Sequence, residues 1–155
     1  MSFQSVLENT KLRHLRLAEP LVVSPDQPLR EVLAQMAQTE CACACVAEDG
    51  KLKGLFTVRD VLTDVAGRPE VMVRTVGEMM TRELTTLGRE ASVEDAINAM
   101  SRGGYRHIPV VDDDGTLVTC VSAMQIMTFI TEHFPRDVRN LPPQAGQKMK
   151  SPEGA

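Results

Sequence analysis

Three of the four cysteines, Cys41, Cys43 and Cys45, alternate with alanine in the stretch TECACACVAEDG. Thiols so close together suggest a soft metal or a disulfide exchange. In a strand all three lie on one face, about 6.6 Å apart in sequence order. Thiolates sharing a tetrahedral zinc at about 2.3 Å must lie within about 4 Å of each other. An extended Cys-x-Cys-x-Cys therefore does not wrap one zinc unaided. A bent loop would need a fourth ligand, and the chain has no second cysteine pair. The plainer reading is small core side chains in a tightly packed strand, a role in which cysteine serves well. No metal ligand is assigned on this basis. His14, His107 and His133 lie far apart, without metal-ligand spacing.

The other candidates are Thr57-Val-Arg-Asp60 and Ser122-Ala-Met-Gln125. A hydroxyl residue followed three positions later by an acidic or amide residue, before an apolar run, is a helix capping box. The same residues suit a nucleotide. A helix N-terminus offers free N–H groups to phosphate, and an ionised Asp accepts from both hydroxyls of a ribose. Sequence alone leaves both readings open. No Ser/His/Asp or Cys/His arrangement, glycine-rich phosphate loop or pair of catalytic carboxylates is present, so no enzyme is expected.

These residues sit in a repeat. Aligning Leu29 with Val93, an offset of 64, lays SPDQPLREVLAQM on GREASVEDAINAM and Met36 on Met100. One extra Asp in the second copy moves the offset to 65, so that Gly50 meets Gly115, Thr57 meets Ser122 and Asp60 meets Gln125. Each copy begins with a short apolar run, LVV at 21–23 or LTTL at 84–87. Next comes a helical pattern, PLREVLAQMAQ or SVEDAINAMSR, with Asp26 or Ser92 as cap. Two strands then flank an acidic glycine turn, and a second helix follows, DVLTDVA or AMQIMTFITEHF. The expected fold class is α+β, a tandem duplication of a β-α-β-β-α unit with pseudo-two-fold symmetry. The expected divisions are an N-terminal segment (1–14), repeats over 15–70 and 71–134, and a disordered C-terminal tail over 135–155.

Composition limits the function classes. The chain has 155 residues, 43% apolar and 25% charged, with a net charge of −4. Scattered basic residues under an acidic balance make nucleic acid an improbable partner. No apolar run reaches the roughly 20 residues of a membrane helix, and the N-terminus lacks a signal-peptide core, so a cytoplasmic protein with reduced thiols is expected.

GLFTVRD at 54–60, TVGEMMTRE at 75–83 and GYRHIPVVDDDG at 104–115 resemble the motifs of a pair of CBS domains, also called a Bateman module. The resemblance covers roughly residues 15–134. It implies a regulatory module binding an adenosine-containing ligand (AMP, ADP, ATP or S-adenosylmethionine) between the copies, with no cofactor required, in a chain that forms a homodimer and acts on an unknown regulated protein. Carried over by position, one cleft would use Leu55, Thr57, Arg59 and Asp60 with Thr85, Tyr105 and Arg106. The other would use Ser122, Gln125, Arg106 and His107 with Leu21, Cys41 and Ala42. Gln125 does not match a carboxylate at a ribose diol, so the Asp60 cleft should hold nucleotide better. The competing readings are a structural dimerisation module with degenerate ligand sites and a cysteine-based metal or redox sensor.

Overall fold

A computed structural model describes residues 2–134; the tail expected at 135–155 lies outside the described residues. The first repeat comprises β1 (Leu21–Val23), α2 (Leu29–Thr39), β2 (Cys43–Glu48), β3 (Lys51–Thr57) and α3 (Val58–Asp60), preceded by α1 (Phe3–Asn9). A short α4 (Val76–Met79) leads to the second, which comprises α5 (Val93–Gly103), β4 (His107–Val111), β5 (Leu117–Ser122) and α6 (Ala123–His133).

The strands pair as the repeat requires. In the first sheet β1 runs parallel to β2 and β2 antiparallel to β3, with Cys43 opposite Thr57 and Cys45 opposite Leu55. In the second, His107 stands opposite Ser122 and Pro109 opposite Cys120. Both hairpins slip register at the same place, between Val46 and Ala47 and between Val110 and Val111.

Side-chain alternation along a strand separates the faces. Ala44, Val46 and Phe56 turn inward with Leu29, Val32 and Met36 of α2 to make the first core. Ile108, Val110 and Val121 do the same with Val93, Ala96 and Met100 of α5. Phe56 and Ile108 are fully buried, and each such side chain contributes about 1.5–3 kcal/mol. The residues between them point the other way. Cys43, Cys45 and Leu55 form a third cluster with Leu52, Leu84, Leu117 and Cys120, joining the two sheets.

The segment ahead of each repeat docks on the other one. Leu12 N–H donates to Ala91 and Val93 N–H to Thr10, both at 2.9 Å. Shifted by 64 residues, Val76 N–H donates to Gln27 at 2.9 Å and Leu29 N–H to Arg74 at 2.8 Å. Leu7 and Leu12 accordingly belong to the second repeat's core, and Val76 to the first's.

Three local expectations change. Ser92 caps α5 in a capping box with Asp95, whereas Pro28, not Asp26, occupies the N-cap of α2. The Arg74 carbonyl takes the N–H that a side chain would otherwise satisfy at the start of α2. The LTTL run makes a single parallel bridge, Leu87 to Val110, rather than a strand. DVLTDVA forms one α turn followed by a π-helical turn over Val61–Val65. There Thr63 bonds back to the Arg59 carbonyl at 3.0 Å, a contact that loosens a helix.

Candidate functional sites between the repeats

Each hairpin delivers its second strand directly into a helix. At the first junction, Asp60 Oδ2 accepts from the Thr57 N–H at 2.8 Å and from the Thr57 hydroxyl at 3.2 Å. At the second, Gln125 Oε1 accepts from the Ser122 N–H at 2.7 Å, and the Ser122 hydroxyl accepts from the Gln125 N–H at 3.2 Å. The capping geometry anticipated from TVRD and SAMQ is therefore present in both copies. Thr57, Asp60, Ser122 and Gln125 are each half-buried, so the caps stay within reach of solvent.

The neighbouring strand edges are tied to the same helix starts. Val58 N–H donates to Ala42 at 3.0 Å and Ala123 N–H to Arg106 at 2.9 Å. Cys41 and Ala42 line an apolar groove of about 350 Å³ with Val58, Val61 and the end of α2. Leu21 is half-buried, opposite Ala44. Arg59, Thr85 and Arg106 are exposed. The Tyr105 ring lies over Gly103, so close that a Cβ there would collide with it. Leu55 is set apart from the other candidates, buried at 6% exposure in the cluster between the sheets.

Sequence reasoning missed a second constellation. The sulfur atoms of Cys43, Cys45 and Cys120 all lie within 4.8 Å of one another. Cys43 and Cys45 are buried and Cys120 is half-buried. Cys41, on the same sequence motif, stays outside, its thiol 3.6 Å from the Thr39 carbonyl. The available signal was parity: Cys43 and Cys45 share a strand face, and Cys120 is the second-copy counterpart of Leu55 on that face. Backbone spacing alone underestimated how far two thiols on one face lean together.

The CBS domain family matches twice, at residues 12–67 and 76–132. The chain belongs to that family. Among curated relatives, the protein named Uncharacterized protein MJ1232, from Methanocaldococcus jannaschii, is 23% identical over 86% of this chain, which spans 44% of that relative's length. Among solved structures, the CBS domain pair of protein MJ0100 in complex with 5′-methylthioadenosine and S-adenosyl-L-methionine aligns at TM-score 0.71. It is 22% identical, over 80% of this chain and 98% of that one. The cytosolic domain of the Mg²⁺ channel MgtE in complex with ATP aligns at 0.66, with 21% identity, over 79% of this chain and 50% of that one. At these identities the likeness establishes the fold of a CBS pair.

Within this CBS pair the thiols sit where the two domains meet, walled by Leu52, Leu55, Leu84 and Leu117. Contacts from Cys120 and Cys43 favour the thiolate of Cys45 against burial. The Cys43 thiol is pushed up by its contacts with Cys120 and Cys45, then by burial. For Cys120, the contact with Cys43 pulls down, but the contact with Cys45 and burial outweigh it. His107 lies on the same strand face and within electrostatic reach of Cys45. Burial lowers its pKa below the ordinary value, with the Cys45 charge opposing and Arg106 assisting. Among the described residues, no helix is long and apolar enough to cross a membrane.

Proposed function

We propose that this CBS pair is a stand-alone regulatory module that senses an adenosine-containing ligand. The observation that carries this reading is Asp60, a carboxylate fixed beside a helix N-terminus through Oδ2. Its second oxygen is free to meet a ribose hydroxyl while the helix start offers N–H groups to phosphate. The ligands bound by the MJ0100 and MgtE structures are adenosine compounds, which supports the same class here. Arg59, Arg106 and Tyr105 supply charge and a ring near the two helix starts. Ligand binding would shift the balance between two arrangements of the repeats, and with it the affinity for a regulated protein. No catalysis is assigned, and the cytoplasm is the proposed location. The test is calorimetry with AMP, ADP, ATP and S-adenosylmethionine. Binding lost in Asp60→Ala supports the reading, and no heat with any of them removes it.

The alternative, a dimerisation module with degenerate sites, draws on Gln125 and on Ala42, which leaves the first copy without the basic residue found at Arg106. The exposed apolar side chains Leu62, Met124 and Met127 on the last helical segments of both repeats suit a homodimer face under either reading. Met127→Asp should shift sedimentation from dimer to monomer; an unchanged sedimentation coefficient would exclude that face.

A further inference from the structure

We propose that Cys43, Cys45 and Cys120 form a three-sulfur site for one monovalent copper ion at the joint between the CBS domains. Three observations carry it.

The first is geometry. The sulfurs lie within 4.8 Å of one another. Metal–thiolate bonds of about 2.3 Å in a trigonal arrangement require separations of about 4 Å, so small rotations about Cα–Cβ close the site. The second is composition. The group contains sulfur alone, the donor that selects soft cations. Zinc would demand a fourth ligand, whereas three sulfurs complete a trigonal ion. The third is placement. Leucines wall the site, and Cys43 and Cys45 are 8% and 1% exposed. An apolar wall excludes the water and carboxylates that harder cations prefer. Half-buried Cys120 provides the route inward.

Charge balance follows directly. Each thiol that coordinates does so as a thiolate and passes its proton to water, so copper binding releases protons and strengthens as pH rises. Oxidation state does not change. Because two sulfurs come from the first domain and one from the second, the ion ties the domains together. It does so beside the caps, since Cys43 stands opposite Thr57 in strand register. The site does not depend on nucleotide binding, and either assignment stands if the other fails.

The experiment is anaerobic titration of the full chain with Cu(I) held by a chromophoric chelator, followed by X-ray absorption at the copper edge. The expected result is one copper per chain coordinated by three sulfurs, retained by Cys41→Ala. Cys120→Ala, chosen because its position is half-buried and its thermal unfolding can be checked beside the wild type, should weaken binding more than about 100-fold. Loss of a mere outer-shell partner already costs about 10–100-fold. Failure of the wild type to take copper from the chelator overturns the proposal. So does equal loss in Cys41→Ala, or a spectrum showing two sulfurs. A parallel Zn(II) titration that outcompetes Cu(I) and places a nitrogen on the metal would overturn the trigonal copper assignment in favour of His107 as a fourth ligand.

Discussion

The N–H of Leu52 donates to the carbonyl of Gly115 at 3.1 Å, and its counterpart Leu117 returns the bond to Gly50 at 2.9 Å. The two hairpin turns thus clasp each other across the pseudo-two-fold axis. Lys51 adds a contact to the Asp114 carboxylate at 2.9 Å, though an exposed pair of this kind adds little. The backbone clasp depends on glycine, because Gly50 and Gly115 have φ of 78° and 86°. A side chain in that region costs about 1–2 kcal/mol. Gly115→Ala should therefore lower stability by about that much in urea unfolding. An unchanged midpoint would show that the turns do not need this backbone.

Asp60 combines two roles that a substitution can separate. Asp60→Asn keeps an oxygen to accept from the Thr57 N–H, so stability should stay within about 0.5 kcal/mol of wild type. Losing the charge removes the stronger class of hydrogen bond to a ribose, so affinity for an adenosine ligand should fall about tenfold or more. Thr57→Ala, by contrast, should lower stability by about 0.5–2 kcal/mol as a cap deletion. Calorimetry and thermal unfolding on the same samples distinguish these outcomes.

Burial depresses the His107 imidazole below its ordinary value of 6.5. Between the folded and unfolded values the unfolded chain binds more protons, so stability rises with pH across that window. The contribution is fully present above about pH 6.5 and is lost as pH falls toward the folded value. His107→Asn should flatten the fall in Tm between about pH 7.5 and 5.5. An identical pH profile in the variant would mean that His107 titrates freely.

Tyr105 rests on the face of Gly103. A methyl at that position must displace the ring, while the helix itself is favoured by Ala over Gly by about 0.8–1 kcal/mol. Gly103→Ala should leave the fold intact and change adenosine affinity if the ring flanks the base. Equal affinity would limit Tyr105 to surface packing.

Much of this fold was readable because its signals are local or repeated. The offset of 64 aligns Cys43 with His107 and the offset of 65 aligns Thr57 with Ser122, and strand register reproduces both, pairing Cys43 with Thr57 and His107 with Ser122. TVRD and SAMQ announced their caps for the same reason: a capping box spans only four residues. The thiol cluster was hidden because Cys45 and Cys120 meet only when one sheet docks on another, a contact set by the shape of both faces. The missing cap of α2 was equally illegible, since its partner is a backbone carbonyl at Arg74, and any residue can supply that. The groove at Cys41 and Ala42 was not legible, because its other walls come from α2 and from Val58 and Val61 of the same repeat, whereas the sequence pointed to partners in the second copy.

The crossed docking of Thr10–Leu12 on the second half and Arg74–Val76 on the first has a consequence for ancestry. Each half lends its leading arm to the other, as two separate chains do when they exchange arms in a swapped dimer. A chain carrying one half would complete this fold by pairing with a second copy of itself. Joining two such halves in one chain replaces a concentration-dependent encounter with an effective concentration set by the tether. It also leaves the halves free to differ, as Asp60 and Gln125 do here.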